Sequence, residues 1–243
     1  MPRTRSSSRR RYADAPVGEP AADIHGVIAR MKAIEASLPR TDGVGYFNRL
    51  YLAVTRAVHE DVDGRPTFED PDFLASLDVV FANFYFAAYD EWAGGRPCPD
   101  AWRPLFTAHE HVWRRPVQFA LAGMNAHINH DLPLAVVATC QERGVEPAKN
   151  TPEYRDFQCV NKLLSDVEGR VRRWFESGLI ADVDRLTGDE ADVIAMWSVG
   201  DARELAWDQA ETLWKLRGHP NLAGSYEDAL SRLVELGGRG ILL

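Results

Sequence analysis

Hydrophobic residues recur every three or four positions along nearly the whole chain, which is the period of an amphipathic α-helix. This period predicts helices over about residues 24–38, 42–58, 73–88, 99–113, 116–140, 157–174, 200–218 and 225–237. Residues 79–89 are rich in strand-forming side chains, but the spacing of their apolar positions favours a helix. With no internal repeat and no convincing pair of strands, the predicted fold is all-α.

The segment from about residue 116 to residue 140 is apolar on all its faces. A helix of that kind is buried by its neighbours. Pro116 suits the first turn of this helix, whereas Pro133 lies inside it and is expected to kink or break it. We therefore expect a single multi-helix bundle over residues 21–243, packed around a buried central helix that a proline interrupts.

Polar side chains concentrate at the midpoint of this apolar segment. They are Asn125, His127, Asn129, His130 and Asp131. At about 100° per residue, Asn125 and Asn129 share one face of the helix, and His127 and Asp131 share the opposite face. Because buried polar groups are costly unless they are paired or used, this cluster is the predicted functional site.

Three interpretations of the cluster are open. In the first, His127 and Asp131 form a proton-transfer pair beside His130, and Asn125 and Asn129 orient a small-molecule substrate. Cyclisation or elimination would fit, because neither reaction needs a cofactor motif. In the second, a zinc-type hydrolase binds a single divalent metal ion through His127 and Asp131, with His109 as a third ligand. In the third, the cluster is a structural network in a non-catalytic binding or interaction protein.

Polar residues on other predicted helices could complete a pocket. Asn48 and Tyr51 share a helix face and could contact a substrate, although a hydrogen bond between helices is the interpretation that the sequence favours. Arg203 and Trp207 lie one helical turn apart, so the guanidinium could bind an anion or carboxylate over the indole. Two further candidates at inward positions are Asp78 and Asn161.

Composition and charge narrow the possible partners. The hydrophobic fraction of 45% over 243 residues supports a substantial core. The net charge is −8, and five arginines lie in the first twelve residues of an Arg/Ser-rich tail, residues 1–20, which we expect to be disordered. The rest of the chain is therefore about −13, which argues against nucleic-acid binding by the folded body. No apolar run is long enough to predict a membrane span.

Motif and cysteine content restrict the chemistry further. The chain has no GxGxxG motif, no P-loop lysine and no GxSxG elbow, so nucleotide-dependent enzymes and serine hydrolases are excluded and no organic cofactor is expected. Its three cysteines are widely separated. We interpret them as reduced thiols, which predicts a cytoplasmic protein.

Four segments together resemble a known family. They read DGVGYFNRLYLAVTRAV, FEDPDFLASLDVVFANFY, AGMNAHINHDLPLAVV and DARELAWDQAETLWKLR, and the likeness covers roughly residues 42–217. The string GMNAHINHDL is its most specific part. The sequence is similar to a bacterial, largely actinobacterial family described as domain of unknown function 5995. The resemblance implies a single helical domain without an established activity, and it favours a small-molecule enzyme of bacterial specialised metabolism.

Overall fold

The computed structural model describes residues 18–63, 68–111, 113–161, 164 and 198–243. All regular structure in these ranges is helical, which confirms the predicted all-α class. The helices are α1 (Ile24–Ser37), α2 (Gly43–Asp63), α3 (Pro71–Ala93), α4 (Arg103–Ala108), α5 (Pro116–Ala126), α6 (Leu132–Arg143), α7 (152–161), α8 (Val199–Leu216) and α9 (Pro220–Ile241). The predicted tail up to residue 17 and the predicted helical stretch over 165–174 lie outside the described residues.

Aspartates and glycines set the ends of several helices. Asp42 accepts hydrogen bonds from the first amides of α2 through Oδ1, and Asp70 does the same for the Phe73 amide of α3. These are the N-cap contacts that satisfy amides without a helical partner. Gly144 follows α6 in the left-handed region, at φ 67°, where a residue without Cβ is unstrained.

The predicted helix over 99–113 is shorter in the structure. A 3₁₀ turn (Asp100–Trp102) leads into α4, which ends at Ala108. There the carbonyl of His109 accepts the amide of Gly43, at 2.8 Å, so the chain is tied to the start of α2 instead of continuing the helix. Trp113 is consequently 90% exposed and does not belong to the core.

The central position predicted for residues 116–140 is confirmed. Helix α5 packs against α2, α4 and α9, whereas α6 packs against α3 and α8. Met124 of α5 contacts all three groups of buried apolar side chains. The helix that carries the polar cluster therefore runs between the parts of the core.

Pro133 does not break this helix. A π-helical turn (His127–Asp131) joins α5 to α6, and the Leu132 amide donates to the carbonyl of His127 five residues earlier. Pro133 then occupies the second position of α6, where the missing N–H costs little. The expected break is thus replaced by one wider turn, and the polar cluster lies on it.

None of the helices in the described ranges combines the length and the apolarity needed to cross a bilayer.

Candidate functional site

Asp131 is the centre of the polar cluster. It is 1% exposed and accepts hydrogen bonds from His127 Nδ1 at 3.0 Å, His130 Nδ1 at 2.8 Å and Trp102 Nε1 at 3.1 Å. Burial alone would favour the neutral acid, but the hydrogen bonds from the two histidines outweigh it and hold the pKa of Asp131 below its ordinary value. The site is therefore built on a buried carboxylate with three N–H donors.

The carboxylate determines the tautomer of His127. Because Asp131 is ionised, Nδ1 of His127 carries the proton and donates it, which leaves Nε2 as the unprotonated nitrogen. Burial lowers the pKa of His127, although the contact with Asp131 works in the opposite direction. Among the described residues, Nε2 has no hydrogen-bond partner. His127 thus presents a neutral imidazole with an unsatisfied basic nitrogen.

Aromatic side chains hold the His127 ring in place. It stacks on Phe81, with ring centroids 3.5 Å apart and planes inclined by 5°. Tyr51 meets it edge-on at 4.5 Å, and Phe47 and Trp102 lie about it at 5.9 and 6.0 Å. This enclosure explains the desolvation of the imidazole and restricts its rotation.

His130 differs electrostatically from His127 although both bind the same carboxylate. Burial opposes its protonation, but the hydrogen bond and charge of Asp131, followed by the charges of Glu227 and Asp100, raise the pKa of His130. The two histidines therefore have pKa values displaced in opposite directions. Neighbouring titratable groups whose pKa values are displaced in opposite directions are typical of acid–base sites.

His127 also lines a cavity between the helices. Its volume is about 140 Å³, and its walls come mainly from α2, α3, α5, α8 and the π-helical turn. Five lining residues are polar, namely Tyr51, Thr55, Asp78, His127 and Arg203, and the other lining residues are apolar. An apolar cavity of roughly 150 Å³ is large enough to bind a benzene-sized molecule. The cavity is therefore large enough for a small ligand beside His127.

Asp78 and Arg203 form a second polar group in the cavity. Arg203 is 7% exposed; its Nε donates to Asn161 Oδ1 at 2.6 Å and its Nη2 to the Phe157 carbonyl at 3.1 Å. Burial lowers the pKa of Arg203 to about 10, against the attraction of Asp78. Asp78 lines the same cavity but is exposed, so its charge is solvated whereas that of Arg203 is not.

The asparagines predicted to orient a substrate face another helix instead. Asn125 Nδ2 donates to the Val234 carbonyl of α9 at 2.9 Å, and Asn129 Nδ2 donates to Asn125 Oδ1 at 3.1 Å. Asn48 also joins helices, because its Nδ2 donates to the Met31 carbonyl of α1 at 2.9 Å. None of these three is among the residues that line the cavity.

Two other predicted residues are also separated from the cluster. Trp207 is fully buried and packs on Phe157 and Tyr154. The sequence suggested that the Arg203 guanidinium lies over the Trp207 indole, but it lies over the ring of Phe157, at 4.0 Å from the ring centroid.

His109, the proposed third metal ligand, pairs with Asp42 through Nδ1 at 2.9 Å. Considering only the part of the chain that the structure describes, no cluster of three or more His, Cys, Asp or Glu side chains could hold a metal ion.

Sequence reasoning missed several residues that shape the site. Trp102 and Phe81 belong to the regularly spaced apolar positions that predict their helices, and nothing in the sequence indicates their contacts with Asp131 and His127. Thr55 lies on the same wall as Tyr51, one helical turn later. Helical spacing from Tyr51 could have identified it.

Comparison with known proteins identifies a family without a described activity. No curated protein and no solved structure matches the chain. The model of a family of unknown function, DUF5995, matches residues 24–243. The chain belongs to that family.

Proposed function

We propose that this member of the DUF5995 family is an enzyme that transforms a small, largely apolar molecule by acid–base chemistry in the cavity. One observation carries the proposal. His127 lines the cavity, its Nδ1–H is held by the buried Asp131 carboxylate, and its Nε2 has no partner in the described residues. Nε2 is itself buried, so a ligand that donates a polar hydrogen to it must first displace part of the aromatic enclosure.

His127 acts as the general base in this proposal. Its lowered pKa keeps the imidazole neutral near pH 7, so Nε2 can accept a proton from the substrate. As the imidazolium forms, the Asp131 carboxylate stabilises its charge through Nδ1–H. The surrounding aromatic rings exclude water, which strengthens both interactions.

Intramolecular elimination or cyclisation suits this arrangement. In an elimination, Nε2 removes a proton from carbon, the C–H electron pair forms the new double bond, and the leaving group departs with its own pair. The imidazolium then returns the proton to the leaving group, so His127 ends the cycle unchanged. His130 and Trp102 are positioning residues, because their hydrogen bonds fix the carboxylate that orients His127.

A carrier that binds the same molecule without changing it is the second candidate. The predominantly apolar lining favours this function, and the polar cluster would then be structural. A metal-dependent hydrolase has less support, because both oxygens of Asp131 already accept N–H groups and His109 pairs with Asp42.

The cellular setting follows from the sequence-based predictions. We propose that the protein acts in a bacterial cytoplasm, in specialised metabolism. Free thiols at Cys98, Cys140 and Cys159 support a reducing compartment.

His127→Phe tests the catalytic function. Phenylalanine keeps the stacking on Phe81 and approximately the same volume, but it removes both ring nitrogens. A small-molecule extract would be incubated with wild type, with His127→Phe and with the control His25→Phe, whose histidine lies on the exposed surface, and compared by mass spectrometry. We expect wild type and the control to convert the same compound and His127→Phe to bind it unchanged. Binding without conversion by all three proteins would favour the carrier.

A further inference from the structure

Helix α9 has two apolar faces, of which one packs on the rest of the domain. On that inner face Leu230 and Val234 belong to the core, and the Val234 carbonyl accepts the amide of Asn125. Large apolar side chains also follow the opposite, outer face, namely Leu222, Leu233 and Leu236, which are 57%, 70% and 68% exposed. Exposed leucines gathered on one face of one helix mark an interaction surface.

The outer face of α9 has the spacing of a coiled-coil seam. Small and apolar residues recur on it at intervals of four and three, which is the heptad period. We call these residues the seam; they are Leu222, Tyr226, Ala229, Leu233, Leu236 and Gly240. Tyr226 is half-buried and the other five are exposed. A seam this narrow and regular is typical of contact with another helix, whereas an apolar face that packs on a broad surface is wider.

The seam is complementary to itself when two copies of α9 lie antiparallel. If the helices cross at the level of Ser231, every seam residue of one copy lies opposite a seam residue of the other. The three resulting layers pair Leu222 with Gly240, Tyr226 with Leu236, and Ala229 with Leu233. Two of these layers combine a large residue with a small one, as interdigitated packing requires. A Cβ on Gly240 would meet nothing within 4 Å in the single chain, so the space above it is open to Leu222.

Charges beside the seam favour the same orientation. Asp228 and Arg232 are exposed and lie one turn apart on the same flank of α9, and neither has an ion-pair partner among the described residues. In the antiparallel arrangement Arg232 of one copy passes Asp228 of the other within about 3 Å along the helix axis, at 1.5 Å per residue. A parallel pair would instead oppose aspartate to aspartate and arginine to arginine. Exposed charges of this kind fix orientation more than affinity.

We infer that two copies of this chain associate through α9, with the helices antiparallel and the seam buried between them. The inference is independent of the chemistry proposed for the cavity, because no residue of α9 lines that cavity. Failure of either proposal therefore leaves the other in place.

Sedimentation of the full chain over a range of concentrations tests the inference. We expect wild type to be a dimer that dissociates on dilution. Leu233→Glu puts two charges into the centre of the seam and should raise the dissociation constant at least about tenfold. The matched control is Leu205→Glu on α8, whose leucine is 51% exposed and lies outside the seam; it should dimerise as wild type does. Far-UV circular dichroism checks that both variants keep their helices.

Two charge reversals test the orientation and do not depend on Leu233→Glu. Asp228→Lys places a cation against Arg232 of the second copy, and Arg232→Glu places an acid against Asp228. Each variant alone should dimerise several-fold more weakly than wild type. An equimolar mixture should form a heterodimer, detected by native mass spectrometry, because opposite charges then meet at both crossings.

Three results would overturn the inference. They are a wild-type protein that stays monomeric at every concentration, a dimer that Leu233→Glu leaves intact, and charge reversals that leave the dissociation constant unchanged. A monomer that sediments with phosphatidylglycerol vesicles would assign the seam to a membrane surface instead of a second copy.

Discussion

A Cβ atom on Gly123 of α5 would lie 2.7 Å from Cβ of Phe47 on α2, and closer still to its ring. Contacts below 3.0 Å do not occur at real side chains, so the two helices pack at a distance that only glycine permits. This close approach brings Phe47 and Tyr51 to the cavity wall beside His127. The site thus depends on a residue without a Cβ atom at position 123.

Gly123→Ala should destabilise the protein. The added methyl group must push Phe47 or separate α2 from α5, and overpacking of this kind costs about 1–3 kcal/mol. Urea denaturation measures the loss. The matched control is Gly224→Ala in α9, where a Cβ meets nothing within 4 Å and alanine should stabilise the helix by about 0.5–1 kcal/mol. Equal stability of the two variants would contradict the close packing.

Asn125→Ala should lower stability without affecting turnover. The substitution removes the link from α5 to the Val234 carbonyl of α9 and leaves the Asn129 amide without its acceptor, and an unsatisfied polar group of this kind costs about 1–3 kcal/mol. Chemical denaturation and the conversion of the small-molecule extract by the same variant measure the two effects. An Asn125→Ala protein of normal stability that no longer converts the compound would instead support the substrate-orienting role.

Asp131→Ala should be the most damaging of these changes. It strands three buried donors, on His127, His130 and Trp102, and removing one partner of a buried charged network costs about 3–5 kcal/mol. Thermal and urea unfolding would report it, with Asp228→Ala on the exposed face of α9 as the control. A melting temperature equal to that of wild type would show that the network contributes nothing to folding.

The helices were predictable because their pattern is local, whereas the partners of the polar residues were not. Spacing alone placed Asn125 and Asn129 on one face and His127 and Asp131 on another, as observed. The partner of the asparagine face, the Val234 carbonyl, lies 109 positions away in sequence. This acceptor is a backbone carbonyl, which every residue has, so the residue type at position 234 does not indicate it. The interpretation of Asn125 as a substrate ligand was therefore open to error.

Partners distant in sequence also explain why the roles predicted for His109 and Arg203 differ from their contacts in the structure. Both were recognised as chemically capable residues, but their partners depend on how distant helices pack. Asp42 is 67 positions from His109, and Phe157, which underlies Arg203, is 46 positions from it. Asp78 was expected at an inward position, whereas in the structure it lines the cavity from an exposed position.

The π-helical turn has an evolutionary consequence. Its wide turn accommodates one residue more than a regular helix would, and each residue of an α-helix turns the chain by about 100°. Deleting a single residue from His127–Asp131 would therefore let a regular α-helix run from α5 into α6, with the apolar face of α6 still directed at α3 and α8. The polar cluster would not survive this change, because the remaining side chains on this turn would lose the spacing that brings His127 and His130 to Asp131. The core thus tolerates the loss of the extra residue, whereas the arrangement around Asp131 requires it. Relatives that keep this cluster should accordingly keep the same number of positions between Gly123 and Pro133.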